Sequence, residues 1–265
     1  MYAFEFHRPA SVADAVAALK GRDEAKLLAG GQTLIPTLKH RLANPSDLID
    51  LGRIAELKGI TKTANGVRIG AMTTHRTVMN SADVKAVIPA LSSMAGVIGD
   101  PAVRNRGTIG GSLANNDPTA DYPAASLALG ATIITNQRSI KADDYFTGMF
   151  TTALEPGEVI VAVEFPKPEK AAYEKFRNPA SRYAMVGVFV AKGPAGVRVA
   201  ITGSGANGVF RSTAMEQALA ANWSPDAVAG VKIDPSTLMS DIHASAPYRA
   251  HLITVMAKRA VAASH

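Results

Sequence analysis

The chain has 265 residues, of which 47% are hydrophobic and 19% charged, and it contains no cysteine. That apolar content supports a well-buried core in one large or two smaller domains. The missing thiols exclude disulfides, a thiolate nucleophile and an all-thiolate iron–sulfur cluster carried by this chain. The net charge of +6 lies wholly in residues 166–265, with 12 Lys/Arg against 6 Asp/Glu, while residues 1–165 balance at 16 against 16.

No basic run with interleaved aromatics accompanies that excess, so no nucleic-acid surface is expected. It reads as an ordinary basic surface or as a face for an acidic partner subunit. No apolar stretch reaches the roughly 18 residues of a transmembrane span. The start, Met1 to Arg8, lacks the pattern of a signal peptide, so a cytoplasmic location is the expectation. The six histidines are scattered and form no zinc-binding pair.

In chain order, residues 11–20 read as a short amphipathic helix, with Ser11 as cap and Asp14 where a capping-box acid belongs. A brief buried strand over 26–29 ends at Gly30-Gly31, and a helix over 33–42 carries Pro36 in its first turn. A strand over 47–51 completes a small α/β unit. Strands rich in Val and Ile follow over 66–71, 131–135, 158–165, 185–191 and 197–202. Helices are expected over 81–98, 123–129, 213–221 and 246–263. The whole is α+β, with the best boundary at Pro166-Lys167-Pro168.

Three glycine-rich segments stand out. Gly203-Ser204-Gly205-Ala206-Asn207-Gly208 spells a dinucleotide fingerprint, but Val209-Phe210-Arg211 separates it from the next helix, and no acid follows at the end of a second strand. It reads as a plain turn. Ala29-Gly30-Gly31-Gln32-Thr33-Leu34 joins a strand to a helix, a setting in which successive backbone N–H groups converge on phosphate oxygens. Thr108-Ile109-Gly110-Gly111-Ser112 lies in a stretch, 100–117, so dense in Gly, Asn, Asp and Thr that an irregular functional loop is expected. The small residues of this stretch would let a flat ligand approach the backbone. Asp121 is expected to cap the helix that follows and to accept from a ligand hydroxyl.

These segments, with Ile69-Gly70-Ala71-Met72-Thr73-Thr74-His75, Glu158-Val159-Ile160-Val161, Tyr173-Glu174-Lys175-Phe176 and Ser245-Ala246-Pro247-Tyr248-Arg249, resemble the FAD-binding medium subunit of the xanthine dehydrogenase and aerobic carbon monoxide dehydrogenase family. The resemblance covers essentially the whole chain. It implies a p-cresol methylhydroxylase-type FAD-binding fold over 1–166, built from subdomains 1–55 and 56–166, and a small α+β domain over 167–265. It further implies that Ala29, Gly30, Gly31, Gln32, Thr33 and Leu34 bind FAD, together with Thr73, Thr108, Ile109, Gly110, Gly111 and Ser112. Asp121 would bind a cofactor hydroxyl, and Ile160 or Val161 with Lys175 would line the flavin ring. The family commonly has an aromatic residue at the position of Ile98.

What the resemblance implies for function is electron transfer rather than substrate chemistry. A large partner subunit would hold molybdenum–pterin and a small one two [2Fe–2S] clusters, in a dimer of heterotrimers, and no acid, base or nucleophile is named here. The rivals are a stand-alone flavin reductase or oxidase of the same superfamily, and a binding module that has lost FAD.

Overall fold

Strand β1 (Glu5–His7), helix α1 (Val12–Leu19), strand β2 (Lys26–Leu28), helix α2 (Leu34–Lys39) and strand β3 (Asp47–Asp50) open the chain, in a computed structural model that describes residues 1–265. The strands form a parallel sheet in the order β1-β3-β2, since each crossover carries a helix. Ser11 caps α1 as predicted: its hydroxyl oxygen accepts from the Asp14 amide at 3.1 Å and donates to the Asp14 carboxylate at 2.7 Å. Helix α2 is shorter than predicted, because Arg41 turns into the left-handed region at φ 58°. Strand β2 is not buried as expected; Leu27 and Leu28 stay half-exposed, and Leu27 borders a cavity.

A second unit starts with β4 (Ile60–Thr63), β5 (Gly66–Gly70), α3 (His75–Asn80), α4 (Ala82–Val87) and α5 (Pro89–Gly96). The single helix predicted over 81–98 is divided at Ile88, which takes φ −140° and ψ 74°. Pro89 forces this, because its ring excludes helical backbone at the residue before it. The stretch 100–117 is not irregular either. It holds α6 (Pro101–Arg106) and α7 (Ile109–Asn115), capped by Asp100 on the Val103 amide at 2.8 Å and by Thr108 on the Gly111 amide at 3.2 Å.

Helix α8 (Asp121–Leu129) is buried at every position. After it come β6 (Thr132–Thr135), β7 (Ser139–Lys141), α9 (Ala142–Tyr145), a hairpin of β8 (Phe146–Gly148) and β9 (Thr151–Thr152), and β10 (Ile160–Pro166). The antiparallel sheet β4-β5-β10-β6-β7 backs the helices.

The chain then changes sheets. Strands β11 (Lys170–Arg177), β12 (Ala184–Gly193), β13 (Gly196–Thr202) and β14 (Phe210–Arg211) form an antiparallel sheet in that order, before α10 (Thr213–Ala221) and α11 (Ala246–Ala263). The Gly203 to Gly208 segment turns β13 into β14. Strand β12 is buried on both faces. Val186, Val188 and Val190 meet α10 and α11 in one core, while Phe189 and Ala191 enter the core built on α3 to α8. No helix is long and apolar enough to cross a membrane.

Four of the basic residues behind the charge imbalance make ion pairs of 3.1 Å or shorter within the chain. Lys175 meets Asp121 at 2.9 Å, Arg198 and Arg211 meet Asp143 at 2.8 and 3.1 Å, and Arg249 meets Asp241 at 2.7 Å. Arg249 is buried and ties α11 to the sheet, donating through Nη1 to the carbonyls of Met185 at 2.6 Å and Gly203 at 2.7 Å. Replacement of Arg249 by Leu strands both carbonyls and is expected to cost about 2–4 kcal/mol. The midpoint of urea unfolding measures this, and an unchanged midpoint would show that the clamp carries no stability.

Candidate functional site

A cavity of about 520 Å³ opens between the three-stranded sheet, the α6–α7 corner and the start of β10. Its floor is two chain bends pressed together. A Cβ on Gly30 would collide with the Arg106 carbonyl and come within 2.7 Å of the Gly107 Cα, so the first bend reaches the second only as glycine. Gly31 turns the chain at φ 72°. The result is an array of unused donors. The N–H groups of Gly30, Gly31, Gln32, Thr33 and Leu34 have no acceptor within the chain, and Ile35 is the first to be satisfied, by the Gly31 carbonyl at 3.1 Å.

The second bend works differently from expectation. The Ile109 amide bonds the Thr73 carbonyl at 3.1 Å and the Gly110 amide bonds the Ala71 carbonyl at 2.8 Å. The Gly111 amide is taken by the Thr108 hydroxyl oxygen at 3.2 Å. These donors anchor α7 to β5 and are not free for a ligand; only the Thr108 amide is left without an acceptor. A side chain on Gly110 would strike Ala71 rather than enter the cavity, whereas one on Gly111 would press on Ala29 at 3.2 Å and Thr108 Oγ1 at 2.9 Å.

Of the sequence-predicted residues, Ala29, Gly30, Gly31, Gln32, Thr33, Leu34, Thr108, Gly110, Gly111, Ser112, Asp121 and Ile160 line this cavity. Ile98 lines it too, as an aliphatic wall. Four do not. The Thr73 hydroxyl is spent on the Gly59 backbone at 3.0 Å, Ile109 is in the core, and Val161 backs onto the neighbouring core. Lys175 sits behind Asp121, gripping its carboxylate at 2.9 and 3.0 Å and the Val97 carbonyl at 3.1 Å.

Asp121 does not cap α8. Ala120 holds the cap position, and the Asp121 carboxylate turns to Lys175 and to the Tyr173 hydroxyl instead. Burial pushes its pKa upward against the pull of the Lys175 ammonium and the Tyr173 hydrogen bond. Burial likewise raises Tyr173 well above its ordinary value. Glu158 also borders the cavity. Arg138 holds it through Nε at 2.9 Å and Nη2 at 3.0 Å, which brings its pKa down to about 2. That fork fixes the start of the strand that delivers Ile160.

Sequence reasoning missed the far wall. Ser181, Arg182 and Tyr183, on the tip between β11 and β12, face the cavity, as does Phe150 at the tip of the β8–β9 hairpin. Tyr183 is 47% exposed and Phe150 58%. Asn178-Pro179-Ala180-Ser181 is a turn signature that would have marked the tip, had β11 been read as a strand. His75, which ends the Ile69 to His75 motif, borders the cavity too.

Residues 2–168 match the model of a family described as the FAD binding domain in molybdopterin dehydrogenase. The chain belongs to that family. It is 36% identical to the carbon monoxide dehydrogenase medium chain of Hydrogenophaga pseudoflava, over 98% of this chain and 96% of that one. It is 35% identical to the nicotine 6-hydroxylase medium subunit of Paenarthrobacter nicotinovorans, again over 98% and 96%. The solved structure of reconstituted CO dehydrogenase from Oligotropha carboxidovorans superposes with a TM-score of 0.91 at 34% identity, over 98% of this chain and 97% of that chain. The chain is thus a medium, FAD-binding subunit of the carbon monoxide and xanthine dehydrogenase type of molybdenum hydroxylase, an oxidoreductase component.

The cavity suits the cofactor of that family. Five amides without an acceptor in the chain are donors of the kind a diphosphate requires, and a buried carboxylate offers an acceptor for a hydroxyl.

Two expectations follow from this geometry. Gly30→Val forces the first bend off Arg106, so FAD retention should be lost; protein that purifies with a normal flavin content would overturn the packing described. His75 is buried, and burial together with the Arg104 charge lowers its pKa from 6.5 to about 4. The unfolded state therefore takes up a proton that the folded state refuses. The neutral histidine's contribution is fully present above pH 6.5 and is lost progressively as pH falls toward about 4, by on the order of 3 kcal/mol. Urea unfolding of wild type and His75→Leu across that window checks it, the variant showing the flatter profile.

Proposed function

We propose that this subunit carries electrons inside a multi-subunit molybdenum hydroxylase and leaves substrate oxidation to a partner. Bound FAD would supply the redox chemistry that links [2Fe–2S] clusters of a small subunit to a terminal acceptor, with substrate oxidation at the molybdenum–pterin of a large subunit. The chain's own residues bind, orient and shield. The first bend, from Ala29 to Leu34, holds the diphosphate through its free amides. Thr108 and Ser112 supply hydroxyls from the second bend. Asp121, steadied by Lys175, accepts from a cofactor hydroxyl, and Ile160 and Tyr183 flank the ring.

The observation that carries this reading is the row of five unpaired amides facing a cavity with no nucleophile set beside a base. Relatives alike over their full length are named for carbon monoxide and for nicotine. A medium subunit that stays this similar while the named substrate changes supports substrate choice on the large subunit. In this reading residues 1–55 and 56–166 are the two subdomains of a p-cresol methylhydroxylase-type fold, and 167–265 a smaller domain. The assembly is a cytoplasmic dimer of heterotrimers.

The isolated chain should purify with FAD, or take up one FAD per chain, and should reduce dyes without hydroxylating any organic substrate. Turnover of a substrate by the chain alone would favour a self-contained flavoenzyme. Colourless protein that cannot be reconstituted would remove the carrier from the scheme.

A further inference from the structure

His75, the first residue of α3, is only 5% exposed, yet neither ring nitrogen makes a hydrogen bond within the chain. Nδ1 is sealed in without a partner, and the ring packs against Tyr122 at 5.4 Å between centroids, inclined by 38°. Nε2 is not sealed in, and His75 borders the cavity. It lies beside Gly107, where a Cβ would stand 2.5 Å away. Gly107 is in turn the residue against which Gly30 rests. The imidazole edge, the unpaired Thr108 amide and the first bend therefore gather around one backbone junction.

The ring is neutral, since burial and Arg104 hold its pKa at about 4. A neutral imidazole has one N–H, and an orphaned buried N–H is rarer than an orphaned acceptor. The proton therefore belongs on Nε2, leaving a lone pair on the sealed Nδ1. The other donors at this junction are backbone amides and the hydroxyls of Thr108 and Ser112. We propose that His75 is a cofactor-binding residue, donating a hydrogen bond from Nε2–H to an oxygen of the diphosphate–ribityl chain of FAD. The proposal rests on the FAD-binding role and adds an imidazole donor to the amides and hydroxyls of the two bends. It also accounts for the glycine at position 107, since any side chain there would cover Nε2.

Two substitutions of the full chain test this by FAD affinity, read from flavin fluorescence on titration of apoprotein. His75→Leu keeps the volume and removes the donor; it should weaken FAD binding about tenfold or more, as expected for a hydrogen bond to a charged group. His75→Gln places an amide N–H near the position of Nε2 and should recover most of that loss. Selective ¹⁵N labelling of the histidines should show His75 as the neutral Nε2–H form, with that nitrogen shifting when FAD is added. Wild-type affinity in the Leu variant, or a Gln variant no better than Leu, would overturn the proposal. Failure of the wild type to bind FAD would instead strike the cofactor assignment itself.

Discussion

The site depends on one close approach, that of the Gly30 backbone to the Arg106 carbonyl and Gly107. Because these chains touch without side chains between them, the two bends form one surface. The approach also divides their roles. In the second bend the backbone is committed to α7 and β5, which makes it a fixed wall. The first bend stays uncommitted, its amides aimed outward and satisfied only by water or by a ligand. A donor cannot both hold the fold together and grip an anion, and here the two tasks fall to different segments.

Much of this was legible in the residues. The cap at Ser11, strands β5, β6, β10, β12 and β13, and helices α10 and α11 all follow from periodicity and turn residues. The two- to four-residue strands β4, β7, β8 and β9 are too short to show a pattern, and three larger features were hidden for other physical reasons. Pro89 breaks a run whose apolar spacing continues on both sides of it. Residues 100–117 carry helix caps at Asp100 and Thr108, but Gly and Asn in positions of low intrinsic propensity mask two short helices that tertiary packing imposes. Strand β11 hides because Lys175, a charged residue in sequence, occupies an interior position made tolerable by Asp121. Missing β11 also hid the tip that brings Tyr183 to the cavity.

The same pair explains the lopsided charge. The first 165 residues are balanced in number but send the carboxylates of Asp121 and Asp143 to Lys175, Arg198 and Arg211 of the later part. Part of the basic excess is therefore neutralised within the chain, joining its two parts, and less of it is left for an acidic partner than composition alone suggested. Asp121 is the more consequential, since one side of its carboxylate is held from behind while the residue borders the cavity.

Strand β12 has a consequence for how such subunits can be rebuilt. With Val188 facing one core and Phe189 the other, a single strand serves as a party wall. Exchanging the last hundred residues between relatives would transplant not just a neighbour but a part of the first unit's own interior. A chimaera would have to carry matched partners for Phe189 and Ala191 on α8. Such interlocking makes the medium subunit a piece that evolves as a whole, even while the enzymes around it change what they oxidise.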